Sequence, residues 1–228
     1  KITLMGKLAV RAYGPFPHPN VLAGFLAIAL TVIIFDLFRR KPSVRVWHRA
    51  LSIAHLALLL GIPALILTFS RTGMATFLLA IATLLIPKLK IKSKISAALV
   101  GGLGSLGCLV FLSSLRESES LTQRVALNLL ALKIWLQKPF LGIGLTNFSL
   151  FSQNFRFQPS HNIFTLVLAE SGIFAMLTFA TFLVALIRKF YAKRAVLPLV
   201  LLSQLLILGS FDHYFFTTHQ GILLFWLT

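Results

Sequence analysis

Carboxylates are nearly missing from this chain: 5 Asp and Glu stand against 22 Lys and Arg in 228 residues. No close carboxylate pair points to divalent-metal binding or to two-carboxylate glycoside chemistry. HExxH, a Cys/His metal set and a glycine-rich phosphate loop are also missing, so a metal-dependent nucleotide-sugar transferase is not expected, nor is a cofactor. The single Cys108 has no partner, which excludes an internal disulfide. Charged residues of both signs make up only 12% of the chain, about half the share of a soluble domain.

What fills the chain instead is apolar. Hydrophobic residues reach 57%, with 21 Phe, and the mean hydropathy is +0.89. No soluble core could bury so much, and the composition reads as an all-α integral membrane protein. Six runs are long enough to approach the ~20 residues that span hydrocarbon, allowing for tilt. They lie near 21–38, 51–69, 72–86, 95–112, 163–187 and 195–211 of a single polytopic domain, 1–228. Both ends read as cut from a longer polytopic protein.

Charge placement orients these spans. The connections Phe38–Ala50, Pro87–Lys94 and Arg188–Arg194 hold 5, 4 and 4 basic residues and no acid. They fall on one face, which the positive-inside rule makes cytoplasmic. The net charge of +17 is then topological, and nucleic acid is not an expected partner. The opposite, exoplasmic face receives the N-terminal stretch, the tight turn at 69–72, the large loop 113–160 and the segment after 211. That loop is too long for a plain connector. Within it, Thr122–Lys138 carries Val125, Leu129, Leu132 and Leu136 at helical spacing, which predicts an amphipathic helix at the membrane surface. Gly142-Ile-Gly144 after Pro139 suits a tight turn.

The polar residues on the exoplasmic face are few. Gln158-Pro159-Ser160-His161-Asn162 meets the fifth apolar run, and Glu170 follows roughly two helical turns deeper. Ionisable groups at such depth are costly and are functional candidates. His161 can take a proton from an attacking hydroxyl near neutral pH; the alternative is an interfacial histidine beside Asn162 acting as a helix cap. Glu170 would orient a partner or hold a helix contact. Arg71, between two spans with almost no loop, either snorkels to headgroups or binds phosphate with its planar fork, and phosphate binding is the preferred reading. Ser70 would add donors at the helix start. Arg124 and Arg156 are further rim cations, and Asn20 is placed to cap the first span. Asp212-His213 and His219 add polar groups at the end of the sixth span.

The pattern resembles the O-antigen ligase and polymerase family of bacterial membrane enzymes. The resemblance rests on His18-Pro-Asn20-Val-Leu-Ala-Gly24 and Thr68-Phe-Ser70-Arg71-Thr-Gly73. It continues through Arg124 to Pro139-Phe-Leu-Gly142-Ile-Gly144-Leu-Thr-Asn147-Phe148, then Ser160-His161-Asn162 with Glu170-Ser-Gly172. These motifs run in the family's order across nearly the whole chain. The resemblance implies a glycosyltransferase-C-like helical bundle in the bacterial inner membrane, acting on the periplasmic or extracellular face. It implies metal-independent transfer from a polyprenyl-pyrophosphate-linked glycan to a glycan or lipid acceptor. Carried over, Arg71, Arg156 and Arg124 would bind pyrophosphate, and His161 would be the base or position the acceptor. A transporter or lipid flippase of the cell envelope is the competing class. It would place ionisable groups at the bilayer midplane in repeated halves, whereas these cluster at one face. A non-catalytic membrane scaffold is a third reading.

Overall fold

A computed structural model describes residues 2–4, 7–39, 47–85 and 118–228. The fifth and sixth apolar runs and the first three coincide with helices, while the fourth, 95–112, lies outside the described residues. The chain divides into two compact units, Lys1–Phe111 and Leu112–Thr228.

The first unit opens with a short antiparallel hairpin, β1 (Ile2–Leu4) and β2 (Lys7–Ala9), in the register Ile2 to Ala9. Three helices follow: α1 (Pro19–Arg39), α2 (Trp47–Leu67) and α3 (Arg71–Leu85). α1 packs against both others through Ala23, Ala27 and Leu30, which meet Leu65 and Phe77. A Cβ at Gly73 would lie 2.7 Å from the Ala23 Cβ, so the small residues of two sequence motifs seat α3 directly on α1. Close approach through small residues is how helices gain contact where hydrophobic expulsion from water is not available.

The start of α1 differs from the expectation. His18, not Asn20, is the cap: its Nδ1 accepts the Asn20 N–H at 3.1 Å, and its carbonyl accepts from Val21 and Leu22. Pro19 occupies the first helical position, where a missing N–H costs nothing. Asn20 is thereby released, and its Oδ1 accepts from the Arg11 guanidinium at 2.8 Å. The Arg11 Nε donates to the Thr68 carbonyl at 2.6 Å, tying the approach segment to the turn between α2 and α3.

The second unit contains α4 (Ser118–Gln137), α5 (Phe148–Phe151), a single 3-10 turn at Gln153–Phe155, α6 (Ile163–Ala192), α7 (Val196–Phe211), α8 (Tyr214–Thr217) and α9 (His219–Leu227). Its core joins Leu127, Ala131 and Ile134 of α4 to Phe148, Leu166 and Ala169. The row expected to define the apolar face of α4 is the outward one: Val125, Leu129, Leu132 and Leu136 are all exposed. α4 is apolar on two sides, and packing selects the side whose Ala131 lets α6 come close. Rings of α8 and α9 pack on the C-terminal half of α6 around Phe179, lining an open pocket of about 240 Å³.

α6 is not continuous. Gly172 has φ 75° and ψ −173°, which breaks it into two helical pieces. The loop after α4 fills the break: the Ile143 N–H donates to the Ala169 carbonyl, the Gly144 N–H to Glu170, and the Ile173 N–H to Pro139. Every backbone group freed by the break named here thus finds a partner, as buried polar backbone requires. Such an approach needs two bare Cα atoms. A Cβ on Gly142 would stand 2.4 Å from the Glu170 carbonyl carbon, and one on Gly172 would stand 2.1 Å from the Phe140 oxygen.

Among the described residues, two helices, α1 and α6, are long and apolar enough to cross a membrane. The apolar part of α2 (Ile53–Leu67), α3 and α7 are shorter. The all-helical architecture therefore holds apart from the hairpin, while helix length alone supports two spans rather than six.

Candidate active site

Asn162 organises the junction. It is extended, its Oδ1 accepts the N–H groups of Phe164 at 2.8 Å and Thr165 at 3.3 Å, and α6 starts behind it. Its Nδ2 donates to the Ser210 carbonyl at 3.2 Å. One turn end is therefore capped by the other: Asn162 satisfies an orphan amide pair on α6 and an orphan carbonyl on α7. Arg124 adds a second tie, its guanidinium donating to the Phe211 carbonyl at 2.6 Å. A cation on the last carbonyls of α7 also complements the helix dipole. Ser160 is fully buried, and its hydroxyl lies 2.6 Å from the Asn128 Oδ1 and 2.7 Å from the Thr165 Oγ1. The residues flanking His161 are thus fixed on both sides.

With these ties made, α7 ends at Phe211 and Asp212 turns extended, presenting its carboxylate to His161. The His161 Nδ1 lies 3.6 Å from the Asp212 Oδ1. Nδ1 is buried and has no hydrogen-bond partner, and the carboxylate stands just beyond hydrogen-bond length. Catalytic contacts of this type are often long before substrate is bound. The same Oδ1 accepts the His213 N–H at 2.9 Å, and the His213 Nε2 lies 3.9 Å away. The two imidazoles face each other with ring centroids 5.1 Å apart. His213 is oriented from behind, its Nδ1 lying 2.6 Å from the Thr217 Oγ1. Tyr214, next in sequence, is buried, with no hydrogen-bond partner for its hydroxyl. Burial, and secondarily the Asp212 charge, push that hydroxyl's pKa well above its ordinary value.

Glu170 is removed from this cluster by its own contacts. Its Oε1 accepts the Phe148 N–H at 3.1 Å, holding the start of α5 against the α6 break. It fixes a helix contact rather than orienting His161.

The three arginines are placed differently. Arg71 is the first residue of α3 and is half-buried. Ser70 precedes it as cap, its Oγ accepting the Gly73 N–H at 3.4 Å. Arg124 belongs to the His161 unit and has one guanidinium nitrogen on Phe211. Arg156 is exposed, with a left-handed backbone at φ 56°. Within the second unit, then, folding brings Asn162 and Ser160 to the frame of His161, while Glu170 serves the loop.

Asp212 and His213 were the residues that sequence reasoning underused. The signal was present, since an Asp-His pair directly after an apolar run is as costly as His161 itself. What it lacked was a partner, because the contact joins the start of one helix to the end of the next.

A family model described as O-antigen ligase matches residues 56–180, more than half of the chain. No match was found among curated proteins. The matched region carries Arg71, Arg124, His161 and the interlocked Gly142 and Gly172, while Ser210, Asp212 and His213 lie beyond it. The chain belongs to the O-antigen ligase family, a family of membrane proteins.

Proposed function

We propose that this protein transfers a glycan from a polyprenyl-pyrophosphate carrier to an acceptor hydroxyl on a glycan or lipid, without a metal cofactor. The observation that carries the reading is the His161–Asp212 pair, 3.6 Å apart at the junction that Asn162 and Ser160 fix. The family supplies the broader expectation of glycosyltransferase-type chemistry.

The pair suits base catalysis. Asp212 facing Nδ1 favours the tautomer with its proton on that nitrogen, which leaves Nε2 as acceptor. Nε2 then takes the proton of the acceptor hydroxyl as the oxygen attacks the anomeric carbon. The bond from that carbon to the phosphate oxygen breaks, and pyrophosphate leaves with the electron pair. Its growing charge calls for guanidinium donors. Arg71, Arg156 and Arg124 are the proposed ligands, with Ser70 and the first turn of α3 adding amide donors.

The reading carries a topology with it. Six spans near the apolar runs given above would cross the bacterial inner membrane, and the loop 113–160 would lie on the periplasmic or extracellular face. The outward row of α4 would then rest against lipid. Purified full-length protein, lipid-linked glycan, acceptor and a chelator make the assay. His161→Ala is expected to abolish transfer, and Asp212→Asn to lower kcat by roughly 10²–10⁴-fold, as for other base-orienting carboxylates. Unchanged transfer by folded His161→Ala protein removes the base from the scheme.

A further inference from the structure

We infer that His161, Asp212 and His213 form a binding site for Zn²⁺, and that zinc held there switches the transferase off. The inhibitory half rests on the proposed role of His161 as base; the binding half does not.

Three ligand atoms, one from each residue, all lie within 4.8 Å of one another. The two contacts to Asp212 are 3.6 and 3.9 Å. Ligands of a tetrahedral zinc at about 2.0–2.1 Å stand roughly 3.3–3.4 Å apart, so the imidazoles must turn inward to complete the set. Two imidazoles and one carboxylate are the nitrogen and oxygen donors that zinc favours over Mg²⁺ or Ca²⁺, which take oxygen cages. Three protein ligands leave the fourth position for water.

Two further observations point to a ligand rather than to chance proximity. The His161 Nδ1 is buried and has no hydrogen-bond partner, a position that a metal would satisfy. The far nitrogen of His213 is held by Thr217 at 2.6 Å, the kind of outer contact that commonly fixes the ring of a metal-binding imidazole. The carboxylate is fixed in turn by the His213 N–H at 2.9 Å. The side chains of His161, Asp212 and His213 retain 18%, 12% and 20% of their exposure, which leaves an ion a way in.

The consequence for transfer follows from the ring. A metal on Nδ1 forces the remaining proton of neutral His161 onto Nε2, so the nitrogen that would accept the acceptor's proton carries one already. Zinc and the transfer reaction therefore compete for one imidazole.

The test uses chelator-stripped, purified protein titrated with ZnCl₂ by calorimetry and with CoCl₂ by visible absorption. One equivalent of zinc is expected, together with the absorption of four-coordinate cobalt. His213→Ala should weaken binding at least tenfold, and the transfer it retains should resist zinc concentrations that silence wild type. Chelator should restore wild-type transfer. Absence of saturable one-equivalent binding, or equal affinity in His213→Ala, overturns the site. Zinc binding through His213 with transfer undiminished overturns the inhibition. Loss of the base reading is seen separately, as persistent transfer in His161→Ala without metal.

Discussion

Replacing Gly172 by alanine tests the architecture at its tightest point. The residue sits at φ 75° and ψ −173°, a region essentially reserved for glycine, and a non-glycine residue there costs about 1–3 kcal/mol. Its new Cβ would also fall 2.1 Å from the Phe140 oxygen and 2.6 Å from the Leu141 nitrogen. These are backbone atoms, so no side chain can swing aside; the loop itself must withdraw. Withdrawal breaks the three backbone hydrogen bonds from Ile143, Gly144 and Ile173, each worth about 0.5–1.5 kcal/mol net. The combined loss is on the order of 3–6 kcal/mol. Unfolding in detergent should therefore shift down by roughly 6–24 °C, at about 2–4 °C per kcal/mol for a chain of this size. Gly14→Ala is the control: φ is +54° but nothing lies within 4 Å of the added Cβ. It carries strain alone, about 1–2 kcal/mol. Hydrogen exchange supplies the local readout, with peptides covering 139–148 losing protection in Gly172→Ala only. Equal shifts for the two variants, with protection of that loop unchanged, would refute the interlock.

Two other substitutions probe the site's frame. Asn162→Ala should cost about 1 kcal/mol, the usual value of a lost N-cap, and more if the Ser210 carbonyl is left unpaired; thermal unfolding measures it, and no loss would mean the cap is idle. Tyr214→Phe removes a buried hydroxyl without a partner, so stability near neutral pH should hold or rise, since an unsatisfied buried donor carries a penalty of about 1–3 kcal/mol. Because the folded-state pKa of Tyr214 is raised, its contribution is fully present below the free tyrosine value of about 10 and is lost above it. The phenylalanine variant should lose less stability than wild type in that alkaline range, and an identical decline would count against the burial argument.

The helices were legible because their signal is local. Long apolar runs set α1, α6 and α7, and the Asn162 cap was readable from one polar residue before one such run. Three other features depend on partners far along the chain. Asn20 looked like a cap by type, yet His18 takes that role and Arg11 claims the Asn20 oxygen. The buried side of α4 was hidden because the helix offers two apolar faces, and only the presence of α6 decides between them. Gly172 gave no hint of a break, since glycine within an apolar run also serves ordinary helix packing. The His161–Asp212 contact belongs with these: each residue was conspicuous alone, and only the fold makes them a pair.

The interlock at Gly142 and Gly172 bears on how the chain reaches this state. Residues 139–144 are synthesised before the helix that receives them, and they fit only while α6 stays open. A seamless α6 is the rival structure, since an unbroken helix would satisfy its own Ala169 and Glu170 carbonyls and shut the loop out. Gly172 weakens that rival by about 1 kcal/mol relative to alanine, besides permitting the break itself. The glycine thus disfavours the unbroken helix as well as permitting the finished fold. An alanine there would leave part of the population caught with the loop outside, a defect that refolding yield would reveal even where the surviving molecules are active.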